Sequence, residues 1–163
     1  MKKLVFIFIM LISLCSCKDT QIEPRLTQIS FTAELSYFNE VYSFDGQILK
    51  DKTLKITMKE PEGLKDLNLT VNSDGITAEY MGLTYIANEA TMPFSRIIAE
   101  TYTPLVTLAG EESVTADKNG EISGKADEIE YKLTVSPTGL PQKLELDSRH
   151  ITVKFYNISI KEE

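Results

Sequence analysis

The sequence predicts a mainly β, single-domain protein: a large, curved antiparallel sheet of about ten strands, with one helix packed on its concave side. Apolar and polar residues alternate in short stretches about ten residues apart, which is typical of half-buried strands. Turn-forming residues separate these stretches. The period changes to helical spacing only once, between two groups of strands, so a single helix is expected to cover the apolar face of the sheet.

Six strands are predicted before the helix. The clearest is the first, in which Ile29, Phe31, Ala33, Leu35 and Tyr37 alternate with polar residues. Two turn signals, at residues 61–63 and 72–75, divide the later strands. The other five strands are predicted at residues 41–49, 54–59, 67–71, 76–80 and 83–87.

Helical spacing begins just after Pro93, a residue suited to the first position of a helix. Pro104 lacks an N–H and clashes with the preceding turn, so it is expected to break or kink the helix. We predict a helix from Pro93 to Thr103, resuming as far as Leu108. The apolar stripe consists of Phe94, Ile97, Ile98, Thr101, Leu105 and Leu108.

Strands return after Gly110. A turn is predicted at residues 117–120 and another at residues 137–141. The strands around them are predicted at residues 113–116, 121–125, 128–136, near Leu144 and Leu146, and at 151–157.

The first 16 residues predict an export signal. Lys2 and Lys3 precede an apolar stretch of 11 residues, about half of the roughly 20 that a membrane-spanning helix needs. The alternative, a buried helix of the mature fold, would need a partner surface for a helix that is apolar all round.

Leu14, Cys15, Ser16 and Cys17 resemble a lipobox, in which a cysteine follows an aliphatic residue and two small ones. Cys17 is therefore the expected lipidation site, with a diacylglyceryl thioether and a further acyl chain, such as palmitate, on the freed α-amine. Two or more chains anchor a protein stably. We expect a lipid anchor on the extracytoplasmic face of the cell membrane, or in the outer membrane if the host has one. An ordinary secretory signal with incidental cysteines is the alternative.

Composition excludes several function classes. Removal of the signal takes away Lys2 and Lys3 but no acid, so the net charge falls from −7 to −9 over 147 remaining residues. Such an acidic domain disfavours nucleic acid and direct headgroup binding. Only Cys17 would survive processing, so the mature domain is expected to have no disulfide.

No catalytic or metal-binding constellation is predicted. The single histidine, His150, lies at a predicted turn and is expected to be solvated; without a second histidine, zinc and copper sites are disfavoured. The stretch around Gly120 resembles a calcium loop, but Thr115 and Ala126 occupy the two positions that need carboxylates. We therefore predict a hairpin turn, no metal and no cofactor.

Acidic and basic side chains also fail to suggest an enzyme. A glycosidase needs two carboxylates held about 5–9 Å apart in a groove, and the acids here are scattered over an acidic surface. Arg25, Arg96 and Arg149 are the only arginines, and they are too few and too dispersed along the chain to predict a phosphate site. The sequence predicts a protein that is not an enzyme, with a cell-envelope hydrolase as an unfavoured alternative.

The order of strands and turns around one helix resembles the lipoprotein-carrier fold. That group includes the outer-membrane lipoprotein carrier and receptor, and the germination lipoproteins of spore-forming clostridia. The resemblance covers residues 29–158. The stretches that carry it are residues 46–48, 58–64, 71–80, 82–85, 92–95, 131–133, 139–141 and 153–157.

This resemblance implies an unclosed β-barrel with the helix over its concave apolar face. In the carriers that face holds acyl chains, because a barrel too wide to fill itself leaves an apolar cavity. The alternative is that the same residues form a filled core. The candidate lining residues are Phe31, Leu35, Ile56, Met58, Leu69, Ile76, Tyr80, Phe94, Ile97, Ile98, Tyr131, Leu133 and Phe155.

We divide the chain into a signal peptide (residues 1–16), a lipidated tether (17–28) and a carrier-like half-barrel (29–160). The predicted function is a membrane-anchored, non-enzymatic binding lipoprotein. By resemblance to the germination lipoproteins, its expected ligand is a protein partner in the cell envelope. The alternative is an acyl chain, as in a lipoprotein receptor. A protein partner predicts a filled core and an exposed apolar patch on an edge, whereas an acyl chain predicts an empty cavity under the helix.

Overall fold

The computed structural model describes residues 22–88, 92, 94–111 and 114–161. Within these residues, ten antiparallel strands form one sheet, and one α-helix, α1 (Phe94–Leu108), lies between β6 and β7 in the chain. The strands are β1 (Ile29–Tyr37), β2 (Glu40–Ile48), β3 (Leu54–Glu60), β4 (Asn68–Asn72), β5 (Gly75–Tyr80), β6 (Leu83–Ala87), β7 (Glu121–Ala126), β8 (Ile129–Val135), β9 (Pro141–Leu146) and β10 (Ile151–Ile160).

The sheet is unclosed, with spatial order β6-β5-β4-β3-β2-β1-β10-β9-β8-β7. Strands β1 to β6 follow one another as hairpins, and β7 to β10 do the same. Pairing of β1 with β10 joins the two groups at the centre of the sheet. The predicted fold class, an open antiparallel half-barrel of about ten strands with one helix, is therefore confirmed.

The hydrophobic core lies between the helix and one face of the sheet. Alternate residues of each central strand are buried, as the period-2 pattern predicts: β1 buries Ile29, Phe31, Ala33 and Leu35. Helix α1 contributes its apolar stripe and contacts β7, β8 and β10. The helix therefore covers the β7 side of the sheet more closely than the β6 side.

Two glycines leave room for large rings on the inner face of the sheet. A Cβ on Gly46 would lie 2.4 Å from the Phe31 ring, and one on Gly124 would lie 2.5 Å from the Tyr131 hydroxyl. In each case the ring belongs to the residue directly opposite on the neighbouring strand. A glycine under an aromatic ring is a common device for curving a sheet, so these pairs support the curvature of the half-barrel.

Two local predictions need correction. Helix α1 runs unbroken to Leu108 with Pro104 inside it, and nearby threonines bond back to the helix: the Thr101 and Thr103 hydroxyls donate to the carbonyls of Ile97 and Ala99. Residues 113–116 were predicted as a strand. Within their described part, only Ala116 forms a bridge, an isolated one with Ile22.

Turns and chain ends divide the half-barrel into two ends, which we name after the residues that flank β1. The Gln28 end comprises residues 22–28, 49–53, 73–74, 109–111, 114–120, 136–140 and 161. The Phe38 end comprises residues 38–39, 61–67, 81–82, 127–128 and 147–150. Within the described ranges, none of the helical segments has the length and apolar character that a membrane crossing would require.

Candidate functional site

The thirteen candidate lining residues belong to the packed interior. Twelve are buried and Tyr80 is half-buried. The aromatic side chains among them interlock: the Phe31 and Phe155 rings meet edge to face at 5.1 Å, and Phe94 lies 4.4 Å from Tyr42. They pack against one another as one cluster, which is how a filled core is built.

Three clefts on the described surface each touch only a few of these residues. One open cleft touches Phe31, Ile56 and Leu69. A second touches Phe94 and Ile97, and a third touches Tyr131. Because these clefts lie in different parts of the surface, none of them corresponds to the single apolar cavity that an acyl chain would need.

Strand β6 is a free edge of the sheet with exposed apolar side chains on both faces. Leu83 is 71% exposed and Ile86 76%, and Met81 in the preceding turn is 84% exposed. Register with β5 places Leu83 and Tyr85 on the concave face and Ile86 on the convex face. Residues 80–88 include no charged side chain. An apolar edge without charges, left open among the described residues, is a template for pairing with another strand.

Strand β7, the opposite edge, has none of these properties. It carries the charged residues Glu121 and Lys125, and Gly124 lies in its middle. Its apolar side chains, Ile122 and Ala126, are buried and lie on the side that α1 contacts. Charge and a covering helix are the usual protections of an edge strand, so the two edges of one sheet differ in accessibility.

A cleft of about 420 Å³ opens at the Phe38 end, between the β1–β2 turn, the start of α1 and the turn before β10. Aromatic and charged side chains share its wall. Its lining residues are Tyr37, Phe38, Glu40, Tyr42, Phe94, Arg96, Ile97, Glu100, Ser148, Arg149 and His150.

Two of the three arginines meet in this cleft, although nothing in their sequence spacing predicts it. The Glu100 carboxylate accepts a hydrogen bond from Arg96 Nε at 3.1 Å and lies 3.5 Å from Arg149 Nε. The second contact is an ion pair without hydrogen-bond geometry, so Arg149 Nε is buried without a hydrogen-bond partner. The arginines are far apart in the chain, but helix α1 and the turn before β10 bring them to one carboxylate.

His150 and Phe38 form the rim of the cleft. Both residues adopt the left-handed backbone region, at φ 55° and 49°, and their rings lie 4.6 Å apart. His150 is exposed at a turn, in agreement with its expected position. No acid or nucleophile forms a hydrogen bond with its ring among the described contacts, so the geometry gives it no catalytic triad.

Tyr42 forms the floor of the same cleft. Its hydroxyl donates a hydrogen bond to the Glu40 carboxylate. Burial, together with this hydrogen bond and the charge of Glu40, raises the pKa of Tyr42 to about 12. Tyr42 is therefore a neutral hydrogen-bond donor at physiological pH and not a proton-transfer group.

The stretch around Gly120 forms a turn in which Asp117 caps the following backbone. Asp117 Oδ1 accepts hydrogen bonds from the amides of Asn119 and Glu121, both at 2.8 Å. These bonds lower the pKa of the Asp117 carboxyl. No group of three or more potential metal-ligating side chains occurs among the described residues.

No protein-family model and no curated protein matches this chain. The resemblance to lipoprotein carriers therefore stays an expectation based on the order of the sequence elements. Cys17, the predicted lipidation site, lies outside the described residues. Of the features found here, the β6 edge had a signal in the sequence, namely an apolar stretch without charges, whereas the arginine pair had none.

Proposed function

We propose that this chain is a membrane-anchored extracytoplasmic lipoprotein that acts as a non-enzymatic binding platform for a protein partner of the cell envelope. The observation that carries the proposal is the β6 edge: Leu83 and Ile86 are exposed on opposite faces of a strand that, within the described part of the chain, pairs with β5 alone. An edge strand of this kind offers main-chain hydrogen bonds to an extended segment, and alternate side chains add specificity.

Packing of the interior supports a protein partner over an acyl chain. A hollow carrier would leave the apolar residues beneath α1 lining a shared space. Here Ile98, Leu133 and Phe155 are buried among other core side chains. Binding an acyl chain inside would require these residues to move apart, at a cost that a packed core makes large. A surface site needs no such rearrangement.

The N-terminal sequence supports the location of this platform. A lipid on Cys17 would hold the domain at the outer face of the cell membrane, or at the outer membrane of a host that has one. A tethered domain cannot leave its membrane as a soluble carrier does, which favours a receptor or platform over a shuttle.

Site-specific photocross-linking tests the proposal. The full chain is expressed in a lipoprotein-processing bacterial host with benzoylphenylalanine in place of Ile86 on β6. The matched control carries it in place of Ser123, an exposed, uncharged residue of β7. We expect a discrete covalent adduct with an envelope protein from position 86 and none from position 123, because β6 has exposed apolar side chains and no charge, whereas β7 carries charges.

A further variant makes the result specific. Leu83→Lys in the position-86 reporter should abolish the adduct, since a charge on the concave face of β6 would have to be buried against the partner. Equal cross-linking from both edges, adducts with lipid alone, or no adduct at position 86 would contradict the proposal.

A further inference from the structure

The first described residues attach to one end of the half-barrel only. Ile22 forms an antiparallel bridge with Ala116, and the Arg25 amide donates to the Gly139 carbonyl at 2.7 Å. Leu26 is buried in the core. The predicted tether therefore joins the domain at Ile22, and its last seven residues are fixed on the Gln28 end.

The chain between the predicted lipid and this attachment is short. Cys17 and Ile22 are five residues apart, and an extended chain covers at most about 3.6 Å per residue. Ile22 therefore lies within about 18 Å of the lipid-bearing cysteine, however residues 18–21 are arranged. Strand β1, with nine residues, extends about 30 Å from this end to the other.

Charge does not distinguish the two ends. The described connections of the Gln28 end have five basic and five acidic side chains, and the sequence places Glu112, Glu162 and Glu163 next to them along the chain. The described connections of the Phe38 end have two basic and five acidic side chains. An anionic lipid surface would therefore repel both ends to a similar degree, and the tether sets the orientation.

We propose that the domain stands on its membrane with the Gln28 end against the lipid surface and the Phe38 end pointing away from it. This inference rests on the proposed lipid anchor. The short tether sets which end is near the membrane. The orientation presents Phe38, Met81 and Leu83, all exposed, together with the arginine cleft, to partners at a distance from the membrane.

Fluorescence quenching from the lipid surface tests the orientation. Ser73→Cys places a reporter at the Gln28 end, and Ser148→Cys places a matched one at the Phe38 end; both serines are exposed. Each full-length lipidated variant is labelled and inserted into vesicles of phosphatidylcholine and phosphatidylglycerol that carry headgroup nitroxides. We expect at least about twofold stronger quenching at position 73, given the length of the strands between the ends.

Two controls separate the causes. A flexible insertion of about 20 Gly and Ser residues between Lys18 and Asp19 adds roughly 25 Å of reach and should reduce the difference. Vesicles of phosphatidylcholine alone should give the same difference, because the tether and not charge sets the orientation. Equal quenching of both reporters in the first vesicles, or stronger quenching at position 148, would overturn the orientation.

The mass of the purified chain distinguishes failure of this inference from failure of the anchor. If the wild-type chain is acylated and the Cys17→Ser variant is not, the lipid anchor is supported. The quenching measurement alone then decides the orientation. A wild-type chain without acyl groups would overturn both, because no tether would then bring the Gln28 end to the membrane.

Discussion

The two edges of the described sheet, β6 and β7, each pair with one neighbouring strand but have different surfaces. Strand β7 carries charges, has a glycine in its middle and turns its apolar residues toward the helix. Strand β6 has no charge, and only Ala87 of its five residues is buried. Natural sheets usually protect both edges against pairing with other chains. The difference makes β6 the more accessible of the two edges, as the proposed partner site requires.

The largest expected difference in stability is between alanine substitutions of a leucine next to β7 and of a leucine in β6. Leu133→Ala in β8, the neighbour of β7, removes a fully buried side chain and should lower the free energy of unfolding by about 2–5 kcal/mol. Leu83→Ala in β6 should change it by less than about 0.5 kcal/mol. Denaturant unfolding of both variants gives the comparison. Similar losses would mean that Leu83 is packed as a core residue.

A smaller difference in stability is expected between substitutions within the two edge strands themselves. Gly124→Val in β7 places a Cβ within 2.8 Å of Tyr131 Cζ, so the ring must leave its position, at a cost of about 1–3 kcal/mol in unfolding free energy. Thr84→Val in β6, at an exposed position, should stay within about 0.5 kcal/mol. Thermal unfolding with near-ultraviolet circular dichroism reports both stability and the tyrosine environment. An unaffected Gly124→Val variant would show that β7 is not closely covered.

A lysine introduced on either edge should leave the free energy of unfolding nearly unchanged, but only the lysine on β6 should disrupt binding of the partner. Ile86→Lys in β6 and Ser123→Lys in β7 each alter an exposed side chain, so unfolding free energies should stay within about 0.5 kcal/mol of wild type. Cross-linking to the envelope partner, measured from a reporter at Tyr85, should be lost only in Ile86→Lys. Loss in both variants would point to a general effect of charge instead of an edge site.

The smallest expected effect is a pH dependence of local stability that is confined to the turn before β7. Backbone hydrogen bonds from Glu121 and Asn119 lower the pKa of Asp117 in the folded state. The stability from this cap is therefore present above the ordinary pKa of aspartate and is lost as the pH falls through the lowered folded value. Amide exchange at Glu121 should quicken in that acidic window, and Asp117→Asn should remove the change. An equal change at the β6 amides would contradict a local origin.

Much of this fold follows from local sequence patterns. The alternation in β1 and the turn residues around β4 and β5 predicted strands that the structure contains, because burial of one sheet face imposes period 2. The break predicted at Pro104 was wrong, since tertiary packing of the Leu105 and Leu108 side chains holds the helix through the proline. Local propensity is often overridden by packing in this way.

The candidate sites were less predictable, for a physical reason. Whether β6 is exposed depends on the order of the strands in the sheet. The apolar character of β6 can be read from the sequence, but its position at an edge is determined by the sheet as a whole. The meeting of Arg96 and Arg149 at Glu100 depends on how α1 lies across the sheet relative to the turn before β10. Such contacts between distant parts of the chain leave no spacing in the sequence that could predict them.

The most direct test of a filled half-barrel that binds on its outer edge is native mass spectrometry of the full chain carrying Cys17→Ser, mixed with diacyl lipid. The account predicts the mass of the protein alone, both as purified and after lipid is added, because the space beneath α1 is occupied by side chains. A stoichiometric acyl adduct that disappears in Ile98→Asp, with Ser123→Asp as the surface control, would contradict it and would favour an acyl-chain receptor instead.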